Sequence, residues 1–269
     1  MVPEHGVIRV MQTSVCNRFL SVKPNLLGYH GAMIDMTLRE QVAQANADLV
    51  KAGLVTLSFG NVSGVDREAN ALVIKPSGVA CDKVQPEDLV VVSLEDGRVL
   101  EGTMRPSSDT PTHLRLYQAY PNLGGVVHTH SSFAAAFAQA GRDIPALGTT
   151  HADHFRGPVP TSRLMTETEI EGEYELETGN VIIETVDGRV DDALRMPAVL
   201  VRSHGPFTWG ADADQAVVNA IALEAVAAMA ERTLSIEPDA PDIQKALLRR
   251  HFDRKHGPGA YYGQPGDRH

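Results

Sequence analysis

From Thr37 onward, apolar positions recur at helical spacing. Leu38, Val42, Ala45 and Leu49 stand three or four residues apart and share one helix face, with Gly53 following as a C-terminal stop. Residues 54–57, 71–75 and 89–94 are short β-rich runs, and Glu95-Asp96-Gly97 reads as a turn into a further run at 98–101. Thr110-Pro111 has the form of a helix start, a capping hydroxyl followed by proline at the first helical position, and Pro121 ends that helix. Residues 124–130 read as a buried strand, and the alanine-rich stretch from Ser131 to Gly141 as a helix. Thr166 with Glu169 is a capping-box pair opening another helix. Residues 181–184 and 198–202 are strand candidates, Asp212 caps a long helix to about Leu234, and Pro241 opens a last one towards Lys255.

Strands and helices are mixed without strict alternation, and no internal repeat appears. The economical fold is one α/β (α+β) domain with a central mixed sheet. Residues 1–35 look different, being nearly free of acidic residues and without a clear period. They lack the compact apolar core and cleavage site of a secretory signal, so a flexible or non-native extension is expected there. The domain itself is expected over 36–264, with a short tail at 265–269.

Composition narrows the class. With 43% hydrophobic and 22% charged residues over 269 positions, disorder is excluded as the whole answer. No run approaches the roughly 20 consecutive apolar residues that span a bilayer, so no membrane partner is expected. A net charge of −10 argues against nucleic acid. A phosphorylated metabolite still fits, if backbone donors, a metal or a few basic groups receive it. Cys16 and Cys81 lack CxxC spacing and read as reduced thiols of a cytoplasmic protein.

The 11 histidines include one informative cluster. His128 and His130 flank Thr129 at the end of the apolar strand, and residues two apart on a strand point to the same side. Both imidazoles therefore reach one point, as a zinc ion or another first-row divalent ion requires. His204, near the end of another strand, is a candidate third ligand. Asp109, in Ser107-Ser108-Asp109-Thr110, is a candidate fourth ligand or a base beside the metal. The ordinary alternatives are a strand-end hydrogen bond for His204 and a helix N-cap for Asp109.

Taken together, these residues resemble a known family. Gly60-Asn61-Val62-Ser63, Lys75-Pro76-Ser77-Gly78-Val79, Pro106-Ser107-Ser108-Asp109-Thr110-Pro111-Thr112-His113 and Gly124-Gly125-Val126-Val127-His128-Thr129-His130-Ser131 follow in order. Gly148-Thr149-Thr150-His151-Ala152-Asp153, Gly172-Glu173-Tyr174-Glu175, Ser203-His204-Gly205-Pro206-Phe207 and Ala260-Tyr261-Tyr262-Gly263-Gln264 complete the series. From Thr37 to Gln264 the chain is similar to the class II aldolase/epimerase family, on its sugar-phosphate 4-epimerase side.

The resemblance implies a nine-stranded mixed sheet flanked by helices and a fourfold homotetramer with active sites between subunits. It implies one catalytic zinc per subunit, with Asp109, His128, His130 and His204 as ligands; Mn²⁺, Co²⁺ or Ni²⁺ suit the same donors. Gly60-Asn61, Ser77-Gly78 and Ser107-Ser108 would hold the substrate phosphate. Glycine lets backbone N–H groups approach an anion, while Ser and Asn donate further bonds. Lys75 would add a point charge. Asp153 and Tyr262 match the family's proton-transfer residues, reaching a neighbouring subunit's metal. His251 is a candidate contact behind the metal or on the phosphate, with an exposed helix histidine as the alternative.

The implied reaction interconverts L-ribulose 5-phosphate and D-xylulose 5-phosphate, by C3–C4 cleavage and re-addition through a metal-bound enediolate. Pentose breakdown, commonly of L-arabinose, is the implied setting. One alternative is a class II aldolase acting on a sugar phosphate such as L-fuculose 1-phosphate. Those enzymes usually carry glutamate in place of Asp109 and lack the 149–153 block. The other alternative is a catalytically silent metal-binding scaffold, which would not need Asp153 and Tyr262.

Overall fold

The computed structural model describes residues 36–262, so the expected extension over 1–35 and the tail over 265–269 lie outside the described residues. Seven strands form one sheet: β1 (Asn61–Asp66), β2 (Ala71–Ile74), β3 (Val90–Ser93), β4 (Val99–Glu101), β5 (Gly125–His128), β6 (Ala198–Val201) and β7 (Gly205–Gly210). Their order is β4-β3-β2-β1-β5-β7-β6, and every pair of neighbours is antiparallel. Eight α-helices pack around it: α1 (Met36–Lys51), α2 (Thr110–Ala119), α3 (Ser132–Ala140), α4 (Thr149–Ala152), α5 (Glu167–Glu171), α6 (Tyr174–Arg189), α7 (Ala213–Ile236) and α8 (Lys245–His256).

The sheet corrects the sequence reading in number and direction: seven strands among the described residues, not nine, and antiparallel rather than mixed. Further pairing among the described residues stops at single bridges, Pro76 with Pro106, Ile144 with Val159 and Thr161 with Leu200, the last being the parallel one. Pro158 and Pro160 flank Val159 and lack the N–H groups that a longer ladder would need. Residues 181–184, expected as a strand, lie inside α6, where Val181, Ile182, Thr185 and Val186 form its buried stripe. Residues 54–57 form no strand, because Leu57 adopts a left-handed φ of 58° on the way to Gly60. The strand that does follow, β1, is disguised by its polar and glycine content.

Helix boundaries are clearer. Asp212 accepts the Gln215 N–H at 2.7 Å and opens α7 as expected. The Thr166–Glu169 capping box opens α5. Asp109, one residue earlier than expected, is the N-cap of α2, and α8 starts at Lys245 rather than Pro241.

Both faces of the sheet are covered. Val62, Val73, Val91 and Val127 pack with residues of α1 and α7, while Leu72, Ile74, Val126, Phe207 and Trp209 pack with residues of α2 and α6. Strands buried on both faces read as continuous apolar runs, as β2, β3 and β6 do. Helix α7 is long and apolar enough to cross a bilayer, with a mean hydropathy of 1.3 over its most apolar window, but 56% of that window is buried inside the fold.

Antiparallel pairing decides where the chemistry gathers. Strands β2, β5 and β6 end, and β1 and β7 begin, at the same edge of the sheet. Asn61 and His128 are direct partners across β1 and β5, and His128 faces Phe207 on β7.

Candidate metal centre and phosphate cleft

His128 closes β5 and is buried, with its ring stacked on Phe207 at a centroid distance of 4.2 Å. Its Nδ1 lies 3.0 Å from the Pro206 carbonyl. Donation to that carbonyl places the hydrogen on Nδ1 and frees the Nε2 lone pair. His130 follows two residues later, in the loop before α3. The first turn of α3 is pinned by Glu224, whose carboxylate accepts the N–H groups of Phe133 and Ala134 at 2.9 Å each. His204 occupies the turn between β6 and β7, after Ser203 at φ 63°.

These three imidazoles converge. Their ligand atoms lie within 4.8 Å of one another, and the Nε2 atoms of His128 and His130 are 3.1 Å apart. Two nitrogens bound to one tetrahedral ion at about 2.05 Å would stand about 3.3 Å apart, so the spacing suits a metal. Burial, then the neighbouring His204 and His130, push the His128 pKa well below its ordinary value. Burial also lowers His130 and, with His130 beside it, His204, against an opposing pull from Asp109. Neutral imidazoles with free lone pairs at pH 7 are the form a divalent ion needs. The three residues therefore fit a bound metal.

Asp109 faces the same cleft, and its carboxylate accepts the Asn61 amide at 2.6 Å. That amide also reaches the Ser107 hydroxyl at 3.1 Å. Because a carboxylate only accepts, the amide nitrogen must be on this side, which leaves the buried Asn61 Oδ1 without a partner among the described residues. A buried orphan acceptor at the cleft wall awaits a donor from a ligand or water.

The cleft is about 460 Å³, within the range of small-molecule sites. Every expected phosphate residue lines it: Gly60, Asn61, Lys75, Ser77, Gly78, Ser107 and Ser108. Gly60 has a structural necessity, since φ is +115° and an added Cβ would lie 2.8 Å from the His128 carbonyl oxygen. Lys75 does more than supply charge. Its buried ammonium donates to the Val79 carbonyl at 2.6 Å and the Pro76 carbonyl at 3.3 Å, bracing the loop that carries Ser77-Gly78. Burial lowers its pKa, opposed by Cys81 and Asp109.

Asp153 and Tyr262 belong to a second cluster and are not among the residues lining this cleft. Asp153 follows α4, and its carboxylate takes two bonds from Arg254 on α8, at 3.0 and 2.6 Å. His251 joins through Nδ1 at 3.0 Å, so it neither lies free on the helix nor touches the triad. Tyr262 lies with its ring 4.8 Å from the Arg254 guanidinium. Burial pushes the Asp153 pKa up, but the bonds from Arg254 and His251 outweigh it and hold the group below the ordinary carboxylate value. Tyr174 and Glu175 also line the metal cleft, although neither residue type points to a metal or phosphate site by itself. Their one signal in the sequence is the Gly172-Glu173-Tyr174-Glu175 block, which the resemblance includes but gives no role.

The chain belongs to the family described as class II aldolase and adducin N-terminal domain, whose model matches residues 40–230. Among proteins similar in sequence, the L-ribulose-5-phosphate 4-epimerase UlaF of Salmonella paratyphi A (strain ATCC 9150 / SARB42) is 57% identical over 227 residues, covering 84% of this chain and 98% of that one. The protein of the same name from Salmonella typhi matches to the same extent. Among solved structures, an L-fuculose 1-phosphate aldolase superimposes with a TM-score of 0.65 at 21% identity, covering 84% of this chain and 99% of that one. Another, from Glaciozyma antarctica PI12, gives 0.64 at 19% identity over 82% of each chain. At those identities the structural likeness shows the fold alone.

Proposed function

We propose that the protein is a divalent-metal-dependent L-ribulose-5-phosphate 4-epimerase, interconverting L-ribulose 5-phosphate and D-xylulose 5-phosphate in pentose breakdown. Supporting this reading is one observation above others: the His128, His130 and His204 imidazoles open onto the same cleft as the Gly60-Asn61, Ser77-Gly78 and Ser107-Ser108 elements. A metal and a phosphate would thus hold the two ends of one small sugar. The near full-length similarity to proteins of that name adds the substrate.

The hydrogen on C4 is not acidic, because C4 is not adjacent to the C2 ketone. Inversion therefore calls for breaking C3–C4, turning the resulting aldehyde and closing the bond on its opposite face. His128, His130, His204 and Asp109 would hold the ion, zinc being the expected one. When bound, such an ion supplies Lewis acidity toward the ketone end of the sugar. The glycine, serine and asparagine donors, with Lys75 behind their loop, keep the phosphorylated fragment from leaving between the two half-steps. Proton exchange at the C4 oxygen, on one face and then the other, falls to Asp153 and Tyr262.

Because Asp153 and Tyr262 sit outside the cleft of their own chain, a neighbouring subunit would bring them to it. A cytoplasmic homotetramer with shared sites satisfies that requirement. The test is a coupled assay of L-ribulose 5-phosphate conversion before and after chelation. Activity that disappears with chelator and returns with Zn²⁺ is expected. Release of free glycolaldehyde phosphate without xylulose 5-phosphate would replace the epimerase by an aldolase.

A further inference from the structure

Three imidazoles that share one ion must each present a lone pair, and each ligand is steered by what holds its other ring nitrogen. For His128 the holder is the Pro206 carbonyl. His204 sits in a turn rather than on a paired strand, so its ring needs a different anchor. Its Nδ1 lies 3.2 Å from the Tyr174 hydroxyl oxygen. The two rings also stack, with centroids 6.1 Å apart and 26° between their planes.

We propose that Tyr174 is the positioning residue of the His204 ligand: its phenolic oxygen accepts the Nδ1–H, fixes the tautomer and turns the Nε2 lone pair toward His128 and His130. The direction of this bond matters. Were the phenol the donor, Nδ1 would carry no hydrogen, the neutral ring would carry it on Nε2, and that nitrogen would be closed to a metal. A phenolic oxygen has lone pairs for the accepting role. It then keeps its own proton for an acceptor in the cleft, which Tyr174 lines.

Tyr174 is itself held in place. It opens α6, and the Thr178 hydroxyl donates to its backbone carbonyl at 2.8 Å. The carbonyl of Glu175 takes the Thr112 hydroxyl at 2.5 Å, tying the start of α6 to α2, the helix that Asp109 precedes. One helix pair thus places both the carboxylate and the phenol around the three imidazoles.

This inference rests on the triad being a metal site, and zinc titration separates the two. Metal-free wild type and Tyr174→Phe are titrated with Zn²⁺ against a chromophoric chelator, and each metal-free form is melted. The phenylalanine keeps the ring stack and loses only the hydroxyl. The expected result is a Kd for zinc raised about 10- to 100-fold, an unchanged metal-free Tm, and altered d–d bands when Co²⁺ replaces zinc. Equal zinc affinity in a wild type that does bind would overturn the role of Tyr174 alone. A metal-free Tm lowered in step with the affinity would make Tyr174 a packing residue and overturn it too. A wild type that binds no zinc would sink the metal site and this inference together.

Discussion

Arg254 grips Asp153 with two hydrogen bonds, 2.6 and 3.0 Å long, from one edge of its guanidinium. The same guanidinium lies under the Tyr262 ring, and the backbone carbonyl of Arg254 accepts the Tyr261 and Tyr262 N–H groups at 3.0 and 3.1 Å. The two proposed proton-transfer residues are therefore carried as one unit on one chain, and this decides how mixed oligomers should behave.

If that unit serves a neighbour's cleft, Asp153→Asn and Tyr262→Phe chains mixed and reassembled should not rescue each other, since no chain offers both groups intact. His128→Asn mixed with Asp153→Asn should recover activity, because one supplies an intact cluster and the other an intact cleft. In a randomly assembled ring of four, about a quarter of the sites are whole. Rescue in the first mixture, or its absence in the second, would show that the cluster and cleft are not shared in this way.

The Asp153 ion pairs also set an acid limb of stability. Its folded-state pKa is lowered, so the stabilisation is complete above the unfolded value of about 3.9 and is lost as pH falls through the folded value beneath it. Melting the protein from pH 6 down to pH 3 should show a drop in Tm that is shallower in Asp153→Asn. Parallel curves for the two proteins would mean that Asp153 does not carry this linkage.

At the metal, His128→Asn is expected to lose bound metal and activity while the fold survives. Asparagine is smaller than the imidazole but leaves the β5 backbone pairing with β1 and β7 intact. Metal analysis after gel filtration checks it. Full occupancy in the variant would remove His128 from the ligand set.

Gly60→Ala should cost about 1–3 kcal/mol, because alanine would be forced to a positive φ against the His128 carbonyl. That is several degrees in Tm for a domain of this size, and the displaced β5 end should weaken metal binding as well. A variant that melts with wild type would show that the loop yields without strain.

Much of this site is legible in the amino-acid sequence. His128 and His130 declare themselves by their spacing of two at the end of an apolar run, although β5 stops at His128 and His130 lies in the loop beyond it. Asp109 and His204 show themselves by standing at element ends, whereas the glycine and serine pairs read by themselves as plain turn residues. Asp153, Tyr262 and the phosphate roles come only through resemblance, because a loop carboxylate or a terminal tyrosine carries no local pattern that sets it apart.

Local pattern also determines the helices at 36–51, 132–140 and 213–236, through an apolar period, an alanine-rich run and the Asp212 cap respectively. It fails at 181–184, since the three β-branched residues Val181, Ile182 and Ile183 suit a strand or a helix equally until a partner surface is known. Here α2 supplies that surface. It fails at 61–66 for the opposite reason: Asn61, Ser63 and Gly64 are poor strand formers, and pairing on both sides with β2 and β5 overrides that preference. Chain order and residue chemistry, then, are enough to point to a metal site on this chain, while the phosphate enters only with the resemblance. Which residues share a cleft is decided by the antiparallel register, which puts Asn61 beside His128. The break between the triad and the Asp153–Arg254 unit follows from where α8 packs, a long-range contact with α4 that no sequence period encodes.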